Sequence, residues 1–241
     1  MKKIAVIFMA LALMIPFSTS FINVNAEDSD IIRNDESGIP DKNFYVQALD
    51  QYDYNNDGIL TKGEVAGADI VSISVYDEDI DLKGISNFRG AFVLRLENNG
   101  DELKNIKNLE EIKSNLNLTE ISIRGFKDFD ENIFSNYKLN IISLHDTDLN
   151  DLNFIKKLSD IHTLDVSKIE DLSKVNDMIN LDDLNLFEPG NISEIDFSRL
   201  KNLTDLRVYG LLNTNKDLIN QAKSVQNLEI TGSENIKEMD I

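Results

Sequence analysis

The feature that most constrains this chain is a doublet of aliphatic residues split by one variable position. It recurs at Ile73/Val75, Leu94/Leu96, Ile121/Ile123, Ile142/Leu144, Leu164/Val166, Leu184/Leu186, Leu206/Val208 and Leu228/Ile230. The first members lie 21, 27, 21, 22, 20, 22 and 22 residues apart. Within the unit that starts near Ile142, further aliphatics follow at Leu149, Leu152, Ile155 and Leu158, then at Ile161 before the next doublet. Alternation around each doublet predicts a short strand with one inward face. Aliphatics three apart predict a tight 3₁₀-like return, because three residues make one 3₁₀ turn. A unit with one apolar side cannot bury it alone, so the units must stack, joining their strands into a parallel sheet over a continuous core. The step of 27 between Leu94 and Ile121 is five longer than 22 and predicts extra residues bulging near Asn105 to Leu118.

Composition narrows the function classes. The chain has 241 residues, 41% of them apolar, with 24 Lys+Arg against 43 Asp+Glu and a formal charge of −19. That balance argues against a groove tracking nucleic-acid phosphates and against docking on an anionic membrane. The absence of cysteine removes disulfides, thiol catalysis and thiolate metal sites, and two histidines argue against a zinc hydrolase or a Ser-His-Asp enzyme. Met1-Lys2-Lys3, the apolar run Ile4 to Phe17 and the small-residue site Val24-Asn25-Ala26 predict a secretory signal peptide over 1–26, cleaved after Ala26. Residues 27–38 are polar and charged and predict a flexible leader. No later stretch is long and apolar enough to span a bilayer, so a secreted chain without an anchor is expected.

One stretch carries sharp chemistry. Asp53-Tyr54-Asn55-Asn56-Asp57-Gly58-Ile59-Leu60-Thr61-Lys62-Gly63-Glu64 matches the twelve-residue EF-hand loop position for position. Ca²⁺ seeks six to eight oxygens at about 2.3–2.6 Å. Asp53, Asn55 and Asp57 supply side-chain oxygens at alternate positions, and Gly58 permits the sharp turn. Ile59 would give its carbonyl, Thr61 a hydroxyl or bridging water, and Glu64 both carboxylate oxygens. Phe44, Ala48, Leu49 and Tyr52 share one face of an entering helix. Gly63 and Gly67 leave little room for a long exit helix. Asp146-Asp148-Asn150 imitates the opening of a second loop, but Asp151 stands where glycine is needed and Lys157 where glutamate is needed, so it is an ordinary turn.

On these doublets and this loop, the chain resembles internalin-like bacterial leucine-rich repeat proteins of the 22-residue type, over roughly residues 39–241. The resemblance implies an α/β fold: a leucine-rich repeat solenoid of parallel β-strands with a 3₁₀ or irregular convex side. It places a small helical EF-hand-like cap at 39–72 and repeats over 73–241. Such repeats usually carry asparagine three residues after the second aliphatic, a place that Asn99 keeps and Phe126, Thr147, Ile169, Pro189, Leu211 and Ser233 do not. The chain ends at Ile241 inside a repeat, so the last turn is expected to fray. Ca²⁺ is expected to fix the cap over the open end of the stack.

The variable residues beside each doublet should face the concave side. Phe187, Arg207 and Tyr209 on adjacent turns have the composition of an interface anchor. His145 and His162 are expected to be solvated surface residues. The reading is a secreted calcium-binding leucine-rich repeat protein that recognises a protein or cell-surface macromolecule through its concave face, with no catalytic residue. The alternatives are a secreted hydrolase using paired acids, or a purely structural or calcium-buffering surface protein.

Overall fold

A computed structural model describes residues 30–114, 117–210 and 220–232. The predicted signal peptide and the last turn, expected to fray, lie outside the described residues. The elements run β1 (Ile31–Ile32), α1 (Lys42–Tyr52), β2 (Leu60–Thr61), α2 (Lys62–Val65), β3 (Ile70–Val75), β4 (Ile80–Asp81), β5 (Val93–Asn98), β6 (Lys104–Lys107), β7 (Glu120–Arg124), β8 (Phe126–Lys127), β9 (Ile141–His145), β10 (Thr163–Ser167), β11 (Asp183–Phe187), β12 (Asp205–Tyr209) and β13 (Asn227–Thr231).

The doublets do stack. Strands β3, β5, β7, β9, β10, β11, β12 and β13 form one sheet in chain order. The doublets sit in register, Ile142 beside Leu164, Leu164 beside Leu184, Leu184 beside Leu206 and Leu206 beside Leu228, all in parallel pairs. From Leu94 to Val208 the aligned doublet side chains are buried in one cluster, while the residue between each pair faces out. The first doublet is shifted from its expected place: Val71 and Ile73 align with Leu94 and Leu96, and Val75 aligns with Asn98. Three buried aliphatics alternate in β3, so a pattern of period two has two equivalent settings there, and the repeats begin at Ile70 rather than 73.

The returns are 3₁₀ turns, among them Leu109–Ser114, Glu131–Asn136, Ser173–Asp177 and Phe197–Arg199. Leu172, Val175, Met178 and Leu181, spaced by three, are all fully buried. A second sheet of β4, β6 and β8 runs beside the first. Its pairing of Lys104 with Phe126 locates the long step. Lys104 lies ten residues after Leu94, and Phe126 five after Ile121, so the five additional residues are 99–103 and not part of 105–118.

The cap closes the other end of the sheet. Asp41 caps α1 by accepting from the Phe44 amide at 3.0 Å, and Phe44, Ala48 and Tyr52 form its buried face. Phe88 packs between the cap and the first repeat, 5.5 Å from Phe44 and 5.6 Å from Tyr52. Gln47 donates to the Ser74 carbonyl and accepts from the Ser74 amide, both at 2.8 Å, Gln51 donates to the Ser72 carbonyl at 3.3 Å, and the Tyr52 hydroxyl donates to the Ile70 carbonyl. Helix side chains therefore satisfy the edge of β3 as a neighbouring strand would, removing the unpaired groups that make an edge costly.

The leader differs from expectation over its described part, residues 30–38. Ile31 and Ile32 pair antiparallel with Thr61 and Leu60, and Ile32 is 2% exposed. A charged composition favours a solvated chain on average, but two isoleucines facing a buried Leu60 suffice to anchor this one.

Candidate functional site

The loop 53–64 begins at the end of α1 and is built by its own side chains. Asp53 accepts from the amides of Asp57 at 3.2 Å and Gly58 at 2.8 Å, Asn55 from Asp57 at 2.8 Å, and Asp57 from Ile59 at 2.8 Å. The Asp53 and Asn55 oxygens thus lie on one side of the turn, around the Asp57 amide. Gly58 has φ 81°, and a Cβ there would meet nothing within 4 Å, so the glycine is needed for its left-handed backbone and not for space. Leu60 is fully buried.

The closing half of the loop is a capping box. Thr61 is the N-cap of the four-residue α2; its amide and hydroxyl donate to Glu64 Oε2 at 2.9 and 2.8 Å, and its Oγ1 accepts from the Glu64 amide at 3.3 Å. Glu64 Oε1 is buried without a hydrogen-bond partner. A buried carboxylate oxygen left unpaired is costly, and a hard cation is one partner that would satisfy it. Among the described residues no three His, Cys, Asp or Glu side chains stand together as a metal cluster. The acids of this loop are turned onto amides instead, and Asn55 and the Ile59 carbonyl would have to complete any oxygen shell. By donor type alone, the neutral and anionic oxygens of Asp53, Asn55, Asp57, Ile59, Thr61 and Glu64 are of the hard kind that Ca²⁺ prefers.

The open face of the sheet is the second site. Phe187 and Tyr209, on β11 and β12, stack at 4.6 Å with their planes 21° apart, and His145 on β9 meets Phe187 edge-on at 5.1 Å. His145 is not solvated as expected: it is 8% exposed, and its Nε2 lies 2.9 Å from Asp165. Strand register puts Asp165 on the adjacent strand and Phe187 one strand further, which covers the ring. His162 is half-exposed beside Asp182, as its position predicts. Arg207 is held on its own face, with Nη1 donating to Asp183 at 3.1 Å and Asn185 at 3.0 Å and Nη2 within 3.5 Å of Asp205. Burial pushes the Asp183 carboxyl above its ordinary value against the pull of Arg207, with Asp205 and Asp165 adding to the rise. Hydrogen bonds from Thr204 and Asn227 hold Asp205 below its ordinary value. The three expected anchor residues are therefore brought together, with Arg207 already engaged.

Two features escaped the sequence reading. The extra residues 99–103 wall a groove of about 580 Å³ against Arg124, Gly125, Asp146, Thr147 and Lys168. The 27-residue step signalled it, but not its place. The ladder asparagine is Asn98 rather than Asn99: it is 2% exposed, accepts from the Asp77 amide at 2.8 Å and the Gly100 amide at 3.2 Å, and donates to the carbonyls of Glu102 at 2.7 Å and Gly125 at 3.1 Å. In later repeats the residue leaving the strand is left-handed instead: Gly125, Asp146, Lys168, Glu188, Gly210 and Gly232 have φ between 47° and 87°. Lys168 and Glu188 donate their amides to the last carbonyl of the next strand, at 2.8 and 2.7 Å.

No family model matches the sequence, and no curated protein is similar enough to count as a relative. Solved structures are similar in fold. An internalin C2 from Listeria monocytogenes superposes with a TM-score of 0.60 at 14% identity, covering 86% of this chain and 100% of that one. An internalin (inlF) from the same organism gives 0.60 at 14%, covering 80% of this chain and 63% of that one. The chain has an internalin-like leucine-rich repeat fold. No helix among the described residues is long and apolar enough to cross a membrane.

Proposed function

We propose that this is a secreted recognition protein whose sheet face engages a protein partner and whose cap is fixed by Ca²⁺. The observation that carries the reading is the row of rings His145, Phe187 and Tyr209 standing on three strands of one sheet. Aromatic side chains held by packing are the usual anchors of protein interfaces. The four strands β10 to β13 present Asp165, Asp183, Asp205 and Glu229 on this face against Arg207, which favours a partner bringing basic side chains to the rings. Asp53, Asn55, Asp57, Glu64, the Ile59 carbonyl and Thr61 would hold the ion, and the orphaned Glu64 Oε1 supports that assignment.

The recognition reading is tested by chemical cross-linking on candidate cell surfaces with wild-type chain and with Phe187→Ala/Tyr209→Ala. The variant is expected to fold and to lose the cross-linked species; equal cross-linking would refute an anchor at the rings. The calcium reading is tested by thermal unfolding with Ca²⁺ and with chelator. At ten times the dissociation constant the ion adds about 1.4 kcal/mol, and an unchanged midpoint refutes it.

One observation favours a hydrolase: Asp183 and Asp205 face each other on adjacent strands with their carboxyls shifted in opposite directions, as acid and base pairs are. Arg207 clamps both acids, and neither lines the groove beside 99–103. A binding role accounts for the face with fewer assumptions.

A further inference from the structure

We propose that β1 is the built-in partner of the calcium loop and positions it for the ion, in the place of a second loop; this rests on the calcium reading above. The loop's middle is β2, and β1 pairs with both of its residues, Ile32 with Leu60 and Ile31 with Thr61. The Ile59 carbonyl, an ion ligand, shares one planar peptide unit with the Leu60 amide nitrogen. Holding Leu60 in the ladder therefore sets the direction of that carbonyl. Thr61, held by Ile31, donates amide and hydroxyl to Glu64 Oε2 and so fixes the carboxylate of the last ligand, whose buried Oε1 has no hydrogen-bond partner. The pairing reaches both halves of the closing segment.

The strand is itself anchored by a tight return and not by the loop alone. The Ile39 amide donates to the Arg33 carbonyl at 2.8 Å, and Asn34 Nδ2 donates to the Ile39 carbonyl at 2.8 Å. Gly38 is pressed so closely on this turn that a Cβ would stand 2.3 Å from the Arg33 carbonyl oxygen. Ile32 and Ile39 are buried in the same cluster as Leu60. Because coupling between two events is reciprocal, an ion that binds better when β1 is docked must also hold β1 in place.

Gly38→Ala forces the return open without touching any residue of the loop. Isothermal titration of the chain 27–241 with Ca²⁺ is expected to show binding weakened about tenfold or more, the usual cost of losing an outer-shell support, with faster amide exchange at Leu60. Ile32→Ala is expected to act in the same direction. In the wild-type chain, Ca²⁺ is expected to slow tryptic cleavage after Arg33 relative to chelator. Dissociation constants within twofold of wild type in both variants overturn the proposal, as does a lowered unfolding midpoint in chelator with unchanged Ca²⁺ affinity, which is what a merely structural strand would give. Should Gly38→Ala fail to fold, equal cleavage after Arg33 in the wild type with and without Ca²⁺ overturns it. A wild-type chain that takes up no Ca²⁺ refutes the calcium reading itself, and this inference with it.

Discussion

Replacing Phe88 by alanine tests how the cap is joined to the repeats. Phe88 is fully buried, stacks on Phe44 with planes 29° apart, and meets Tyr52 at 67°. Removing a buried phenylalanine costs about 3–5 kcal/mol, and each ring pair contributes about 0.5–1.5 kcal/mol of packing beyond its area. Against a total of about 5–15 kcal/mol that is a large share. It falls at one joint, because stacked units contact only their neighbours. For a chain of about 150–250 residues each kcal/mol moves Tm by about 2–4 °C, so a fall of about 6–20 °C is expected. Thermal unfolding followed by circular dichroism measures that shift, and urea unfolding followed by tyrosine emission gives the free energy, since the chain has six tyrosines and no tryptophan. Phe92→Ala is the control, because Phe92 is 42% exposed. A loss below about 1 kcal/mol at Phe88, or one no larger than at Phe92, would refute the view that this ring holds the two parts together.

Three further outcomes are expected. Asn98→Ala should cost about 1–3 kcal/mol, since it removes the partner of the Asp77 amide and of the Glu102 carbonyl; Asn99→Ala, exposed on the neighbouring position, should cost far less in the same denaturation assay. Gly58→Ala should destabilise by about 1–2 kcal/mol through the left-handed backbone alone, with or without calcium, as read from urea midpoints in chelator. Carboxyl NMR should find Asp183 titrating above the ordinary Asp value of about 3.9 and Asp205 below it. The stability contributed by Asp183 is then complete below that ordinary value and lost as pH rises through its own raised one, while that of Asp205 is present above the ordinary value and lost as pH falls through its lowered one. The reverse order of midpoints would contradict the buried, Arg207-clamped arrangement.

The stack was legible because each doublet repeats a physical demand, an inward pair at strand spacing, and the in-register burial of Leu164, Leu184 and Leu206 answers it directly. Helix α1 was legible from Phe44, Ala48 and Tyr52, and the shortness of α2 from Gly63 within it and Gly67 after it. What failed were decisions between neighbours. Val71/Ile73 and Ile73/Val75 satisfy the same alternation, and the choice falls to the helix edge that Gln47 and Gln51 grip. Asn98 and Asn99 carry the same side chain one residue apart, and only strand register sends Asn98 inward. His145 reads as a surface residue until Phe187, 42 positions later, is folded over it. The loop oxygens were visible as a spacing; that Glu64 would commit one oxygen to a helix cap and keep the other buried without a hydrogen-bond partner was not, because that depends on how Thr61 is held.

The grip of Gln47, Gln51 and Tyr52 on β3 makes the molecule directional. Amide side chains have already taken the positions that an incoming strand from another copy would need, and they are carried on a helix too thick to be inserted alongside. Growth of the ladder by end-to-end association is blocked on that side, so a concentrated solution of this acidic protein is protected from fibre formation by geometry as well as by charge repulsion.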